Sequence, residues 1–587
     1  MRKISICLLI LMVLINFVAC SGQSESTNST KGKMQNLYGE NEEITGDYDT
    51  SLAANCTNGT YVGTIENSVI SYKGIPYAKQ PVGELRWKPP VSAEDDTRIY
   101  EAYYYGKSPI QTEAESEVGS YYMQGEDCLN LNIWTNSSNP STNKTVMVFF
   151  HGGSYGWGAT SDPLYDGQNL VEKFDDIVLV TVEYRTGVMG FIDFSSVEGG
   201  EEYAQSGNLG LLDQIEALRW VQKNIKAFGG NPENVTIFGE SAGAGSVSLL
   251  PLIDGTEGLF QRIIAQSGSV ALTYSKEECQ NLTEMLLKET GCKTMDELVA
   301  LPESVIVEVN EKLNESNNFP ERDGIVLPED LYAAYENGAT SDYDILIGTN
   351  ADEVRYWINE MGYYTNLVDG ETIYKLGMPV MFENNMKKVT DDDMQYVDAF
   401  MELQTDEKKW NLTEFYNEIL FRIPALKQAE LHAENGGNAF VYQWTYPGED
   451  KTIGACHAIE LSYIFNNLQE TIYTGDNINE ELADIAQNMW VNFARTGNPS
   501  TSEIDWPTYS KENKNTMILG DEITVVEDYK SDQREAIEPL LKYGFNGCYS
   551  QLSFFVPQVY KMIAIVLIPL VFICGVIILV IRKKRRI

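Results

Sequence analysis

The residues with the most chemical content stand at Gly239-Glu240-Ser241-Ala242-Gly243. They fit the pattern G-x-S-x-G, directly follow the apolar run Val235–Phe238 (VTIF), and precede a small-residue stretch, Ala244-Gly245-Ser246-Val247, suited to open a helix. A strand that turns abruptly into a helix forces the serine into a strained backbone conformation, so its neighbours must lack bulk. The hydroxyl is thereby lifted clear as a nucleophile. A glycine-rich helix-packing turn reads the same way, so the motif needs company. Upstream, His151-Gly152-Gly153-Ser154 follows a second apolar run, Val146–Phe150 (VMVFF). Backbone N–H groups of such a loop, with the N–H of Ala242, can face the oxygen of a tetrahedral intermediate, each donor typically contributing ~2.7–4 kcal/mol in the transition state. The chemistry this pair of motifs points to is acyl transfer through a serine.

These residues need rigid elements behind them. VMVFF, Asp176–Val182 (DIVLVTV) and VTIF are short apolar runs bounded by Gly, Asn or charge, and read as buried strands of parallel type. Between them Leu211–Phe228 (LLDQIEALRWVQKNIKAF) repeats apolar residues at helical spacing and stops at Gly229-Gly230-Asn231-Pro232, which reads as a helix end followed by a turn. Strand, helix, strand implies a right-handed crossover. Residues 56–545 show no fixed repeat and no long polar linker, so one large domain is expected.

Phe228 to Gly243 (FGGNPENVTIFGESAG) resembles the serine-site signature of the type-B carboxylesterase and cholinesterase family, and Glu126–Trp134 (EDCLNLNIW) resembles its second signature. Lys73–Ala78 (KGIPYA), Tyr184-Arg185, Gly207–Gly210 (GNLG) and Gln266–Ser269 (QSGS) extend the resemblance over residues 56–530. It implies an α/β-hydrolase fold, a large and mostly parallel central sheet with helices on both faces, and a Ser, Glu, His triad. Gly348–Glu353 (GTNADE) is similar to the segment that carries the acid, which assigns Glu353, with Asp352 as the rival in the same turn. Gly454–Leu461 (GACHAIEL) is similar to the segment that presents the histidine, His457. Elimination agrees: of three histidines, His151 belongs to the glycine-rich loop, and His432 lies in a polar helical stretch (KQAELHAENGG) and is expected on a solvated face. The implied mechanism has His457 as general base, Glu353 holding its tautomer, and an acyl-enzyme on Ser241.

The resemblance further implies an oxyanion hole from the backbone amides of Gly153, Ser154 and Ala242. Ser154 replaces the last glycine of the family's HGGG, which leaves the N–H but crowds the acyl side. Asn130 replaces the second signature's aromatic, and Ser108 stands where the disulfide partner of Cys128 is expected, leaving Cys128 unpaired. Cys279 and Cys292 lie thirteen apart across a helical stretch, ~20 Å at helical rise, so they could pair only if that helix breaks, and no disulfide of the family's type is expected. Gln111–Gly125 lacks the choline-binding Trp of a cholinesterase, although Tyr121 and Tyr122 offer a weaker cation–π face. The expected substrate is therefore a small-molecule carboxylic ester, not choline esters specifically. Some relatives keep this fold beside one membrane span and have lost catalysis, so an adhesion ectodomain is the alternative; an amidase or thioesterase would share the triad.

Both ends carry addressing signals. Residues 1–20 (MRKISICLLILMVLINFVAC) have a basic start, a short apolar run and a small residue before Cys20, as in an export signal. Phe17-Val18-Ala19-Cys20 resembles a bacterial lipoprotein box, which Phe17 fits poorly, so lipidation of Cys20 stays open; the signal leans bacterial. From Met562 to Ile581 twenty residues carry no charge, enough for a helix to span a ~30 Å hydrocarbon core. Arg582–Arg586 (RKKRR) then places the C-terminus in the cytoplasm and everything before the span outside the cell membrane. The expected organisation is a signal peptide 1–20, a disordered tether 21–55, the hydrolase domain 56–545, a juxtamembrane segment 546–561, a transmembrane helix 562–581 and a basic tail 582–587.

Composition excludes other classes. Against 43 Lys and Arg stand 85 Asp and Glu, a formal net charge of −42, and without the two cations of residues 1–20 and the five of Arg582–Arg586 the balance is 36 against 85, about −49. Nucleic acid and anionic lipid are poor partners for such a surface. Nine scattered cysteines make neither a disulfide framework nor a metal-ligand spacing, and no cofactor motif is present.

Overall fold

The computed structural model describes residues 39–111, 123–313, 318–355, 388–404 and 411–546. The signal peptide, most of the tether, Tyr121, Tyr122 and the segment 562–581 lie outside these residues.

The apolar runs form the middle of an eleven-stranded sheet: β1 (Thr64–Glu66), β2 (Val69–Pro76), β3 (Asn130–Thr135), β4 (Lys144–Phe150), β5 (Ile177–Val182), β6 (Gly230–Glu240), β7 (Arg262–Gln266), β8 (Asp344–Asn350), β9 (Asn438–Trp444), β10 (Asn515–Leu519) and β11 (Thr524–Glu527). Their order across the sheet is β11-β10-β9-β8-β7-β6-β4-β5-β3-β2-β1. The seven neighbours from β10 to β5 run parallel, while β11 at one edge and β3, β2 and β1 at the other pair antiparallel.

Every residue of β4 and β5 is buried, as strands covered on both faces must be. Alternation divides their side chains between two cores. Val146, Val148 and Phe150 enter one, which holds α1 (Leu209–Asn224), α2 (Ala242–Leu249) and α3 (Ile423–Glu434) through Leu218, Val247 and Leu431. Met147 and Phe149 enter the other, closed by Met489, Trp490 and Phe493 of α4 (Glu480–Thr496). Burying one such side chain contributes roughly 1.5–3 kcal/mol, so this strand region is the anchor of the molecule.

Three expectations are corrected. The turn foreseen at Gly230-Asn231-Pro232 is instead the start of β6: α1 runs on through a 3-10 turn to Phe228, Gly229 ends it at φ +82°, and β6 pairs at once with Lys144 before an irregularity that ends at Val235. The tether does not extend to residue 55. Asn41 donates from Nδ2 to the carbonyls of Lys73 and Tyr104, and Thr50–Leu52 and Ala53–Cys56 form a 3-10 turn and a strand on the domain. His432 is fully buried, its Nδ1 2.9 Å from Thr340 Oγ1 and its Nε2 3.2 Å from the Asn438 carbonyl. Burial lowers its pKa to about 4, so it is a neutral wedge between α3 and β9.

The described cysteines, Cys56, Cys128, Cys279, Cys292 and Cys456, form no disulfides. Among the described residues no helix is long and apolar enough to cross a membrane.

Candidate active site

Four loops leave the C-terminal ends of parallel strands and converge: Ser241 after β6, His151–Ser154 after β4, Glu353 after β8 and His457 beyond β9. Open α/β sheets place their ligand crevices at these ends.

Ser241 joins β6 to α2 with φ 56° and ψ −117°, a backbone region that costs a non-glycine residue of order 1–3 kcal/mol. The surroundings hold it there. A Cβ on Gly243 would lie 1.9 Å from the Phe150 carbonyl oxygen, and one on Gly239 would lie 2.5 Å from the Gly243 backbone, so α2 packs on β4 with no room for a side chain at either glycine. The Ser241 N–H donates to the Gln266 carbonyl at 2.8 Å.

The loop after β4 lies against this elbow. A Cβ on Gly152 would stand 3.0 Å from Ser241 Cβ. Gly153 (φ +101°), Ser154 (φ 52°) and Tyr155 (φ 57°) all have left-handed backbones, which turns the chain sharply beside the serine. The amides foreseen as oxyanion donors sit together at the strand ends: Gly153 and Ser154 on this loop and Ala242 as the first residue of α2. His151 stacks on Tyr184 with ring centroids 4.6 Å apart, and Tyr184 Oη donates to the His151 carbonyl at 2.7 Å. Its role is to pin the loop's first residue.

His457 and Glu353 meet inside the protein. Nδ1 of His457 is 2.6 Å from Glu353 Oε2, Glu353 is fully buried, and its Oε1 accepts the Asn350 N–H at 2.7 Å. A buried carboxylate accepts, so Nδ1 carries a proton towards Glu353. Asp352, the rival, is engaged elsewhere: Oδ2 accepts the Ala455 N–H at 2.9 Å and Oδ1 lies 2.9 Å from Arg355 Nη2.

A strained serine turn after β6 and a buried histidine–glutamate pair beyond β8 and β9 have the make-up of a serine-hydrolase site. The carboxylesterase family model matches residues 51–537. The chain belongs to the carboxylesterase family. It is 34% identical over 503 residues to the para-nitrobenzyl esterase of Bacillus subtilis (strain 168), covering 82% of this chain and 97% of that protein. It is 29% identical over 515 residues to the cholinesterase of Mus musculus, covering 79% and 82%. Among solved structures, the Geobacillus stearothermophilus carboxylesterase EST55 superposes with a TM-score of 0.74 at 31% identity, covering 83% of this chain and 99% of that one. A PNB esterase structure gives 0.70 at 33%, covering 83% and 100%. The central sheet is thus that of an α/β hydrolase, and the chain is a carboxylesterase-type enzyme.

Two carboxylates of this carboxylesterase were within quoted motifs but received no role from sequence. Glu240, the residue before the serine, puts Oε1 3.1 Å from His457 Nε2, so the imidazole stands between two carboxylates. Glu460, three residues after His457, is fully buried and accepts from Gln266 Nε2 at 3.0 Å and Asn350 Nδ2 at 2.6 Å. Burial pushes its carboxyl pKa up, with the charge of Glu353 adding to the effect. Through Gln266 and Asn350 it ties the serine's loop to the acid's loop. An aromatic neighbour of the imidazole is Phe421, whose ring centroid lies 5.1 Å from that of His457.

Proposed function

We propose that this carboxylesterase hydrolyses small carboxylic esters through a Ser241, His457, Glu353 triad and an acyl-enzyme intermediate. The observation that carries the reading is the buried 2.6 Å Nδ1–Oε2 contact, which fixes the imidazole tautomer that a serine base needs. In the first step His457 Nε2 takes the hydroxyl proton as Ser241 Oγ bonds to the carbonyl carbon. The tetrahedral oxyanion forms against the amides of Gly153, Ser154 and Ala242, and collapse expels the alcohol with the proton now on Nε2. Water then repeats the sequence on the acyl-enzyme and releases the acid. Glu353 stabilises the imidazolium that forms in both steps.

The chain is further proposed to sit on the cell membrane by the span 562–581, with the catalytic domain outside. Surface biotinylation of intact cells should label it, and labelling only after lysis would refute that topology.

The activity is tested by hydrolysis of p-nitrophenyl acetate and butyrate by the full-length protein in detergent, beside Ser241→Ala. Turnover that vanishes in the variant supports the reading. No turnover by the wild type, or equal turnover by both, overturns it.

A further inference from the structure

The acid loop and the histidine loop are tied to each other by Asp352: its N–H donates to the Ala455 carbonyl at 2.9 Å, and its Oδ2 accepts the Ala455 N–H at 2.9 Å. A Cβ on Gly454 (φ +62°) would lie 2.1 Å from that same Oδ2, so the carboxylate occupies the space a side chain would need. From Asp352 a line of alternating charges leads away from the site. Arg355 Nη2 is 2.9 Å from Asp352 Oδ1 and 3.3 Å from Glu414 Oε1. Lys530 Nζ is 3.6 Å from Glu414 Oε2 and 3.2 Å from Glu418 Oε1. Glu418 Oε2 is 2.5 Å from Arg422 Nε, and Arg422 Nη1 donates to the Tyr529 carbonyl at 2.9 Å. Three carboxylates thus alternate with three cations. Glu418 and Arg422 are almost wholly buried and the other four no more than 22% exposed.

The line returns to the imidazole. Glu418–Arg422 is a π-helical turn at the head of α3, with the Ile423 N–H donating to the Glu418 carbonyl. Pro424 explains it, because proline has no N–H to donate one turn back to Leu420. Phe421, the residue against His457, sits on this turn between the two charged partners. The same segment also grips the acid loop, since Asn417 Oδ1 accepts the Val354 N–H at 2.7 Å and its Nδ2 donates to the Ala351 carbonyl at 3.2 Å.

We propose that Asp352, Arg355, Glu414, Lys530, Glu418 and Arg422 form a positioning network for the Glu353–His457 pair, with Lys530 as its keystone, and this rests on the triad reading above. Lys530 is the one member that bridges the carboxylate serving the acid loop, Glu414, and the carboxylate serving the Phe421 turn, Glu418. The two anions outweigh burial and hold the Lys530 amine above its ordinary pKa, while Arg422 and Lys530 hold Glu418 below the usual carboxylate value against the same penalty. Removing the amine leaves two buried carboxylates without their shared cation, and the acid loop and the π turn are then free to shift apart. A shift of about 1 Å in a catalytic pair can cost on the order of 100-fold in rate while substrate contacts stay as they were.

The test compares Lys530→Met and Lys530→Arg with the wild type in the full-length protein, using p-nitrophenyl butyrate and counting active sites by stoichiometric phosphonate labelling of the serine. The expected result is a kcat per labelled site lower by about 10- to 100-fold in K530M, with KM within about threefold, and recovery to within about threefold of wild type in K530R. An unchanged kcat per labelled site in K530M overturns the proposal, as does K530R failing as badly as K530M. If K530M does not fold, the pair K530Q/E418Q, which removes one charge of each sign, carries the same comparison. A wild type without turnover or label sinks the triad reading and this proposal with it, whereas an active wild type with an equally active K530M sinks the proposal alone.

Discussion

Replacing Glu353 with glutamine removes one charge and adds two protons at a site built only to accept. Glu353 takes two hydrogen bonds, from the Asn350 N–H at 2.7 Å and from His457 Nδ1 at 2.6 Å. An amide offers one oxygen, so its NH2 group must face one of these two donors. The Asn350 N–H cannot give up its proton, but the imidazole can change tautomer. The expected state therefore has the glutamine oxygen on Asn350, Nδ1 as an acceptor and the proton on Nε2, where it blocks the Ser241 hydroxyl. Loss of the correct tautomer and of the charge facing the imidazolium should lower kcat by about 10³–10⁴-fold, or roughly 4–5.5 kcal/mol of barrier at 1.36 kcal/mol per tenfold. Any state that keeps the old tautomer sets N–H against N–H in a fully buried place at a cost of about 1–3 kcal/mol, which is why the tautomer changes, so the melting temperature should stay within a few degrees of wild type while kcat collapses. Asp352→Asn is the matched control: it keeps an oxygen for the Ala455 N–H and weakens only the Arg355 contact, so a loss of about 10- to 50-fold is expected. The assay is p-nitrophenyl butyrate turnover with thermal melts on both variants. E353Q within tenfold of wild type, or D352N losing more than E353Q, refutes the assignment of the acid.

Glu240→Gln should lower kcat by about 10- to 100-fold, because Oε1 lies 3.1 Å from Nε2 and its charge favours the imidazolium formed in the transition state; stopped-flow acylation rates would show it, and no change would remove Glu240 from the chemistry. Gly243→Ala should fail to give soluble folded enzyme or melt far below wild type, since its Cβ would sit 1.9 Å from the Phe150 carbonyl oxygen; a normal melt would contradict the packing of α2 on β4. Glu321, almost wholly buried and pushed up to about 8 by burial with Asp193 and Asp323 adding to it, makes stability depend on pH. Between its ordinary value of 4.5 and about 8 the folded state holds a proton that the unfolded chain does not, so this group's contribution is lost as pH rises through that window. Glu321→Gln should therefore gain on the order of 3 kcal/mol relative to wild type at pH 8 and nothing near pH 4.5, measured by urea unfolding at both; a gap independent of pH would show that the carboxyl is not held protonated.

What the sequence made legible was the chemistry carried by local motifs. Ser241 and the loop at His151–Ser154 announce themselves because the elbow demands glycines within two positions of the nucleophile. His457 could be reached by elimination among three histidines. Adjacency alone does not separate Glu353 from Asp352; in the fold Glu353 faces His457 while Asp352 faces the Ala455 N–H and Arg355, which supports the assignment proposed for Glu353. His432 misled because its neighbours in KQAELHAENGG are polar, while its burial comes from Thr340 and Asn438, one of them far away in sequence. Gly230-Asn231-Pro232 misled because a proline reads as a turn, yet a strand irregularity absorbs it. The Lys530 network was invisible for the same reason as His432: its members come from three distant stretches, and no spacing rule connects them.

The central claim is that Ser241 is the nucleophile. The most direct measurement is intact-mass and peptide mass spectrometry of the full-length protein after reaction with a p-nitrophenyl phosphonate. The expected result is one adduct per chain, on the peptide carrying Gly239–Gly243, absent in Ser241→Ala and formed in step with loss of esterase activity. An adduct on another serine, or full loss of activity with Ser241 unmodified, would contradict the account.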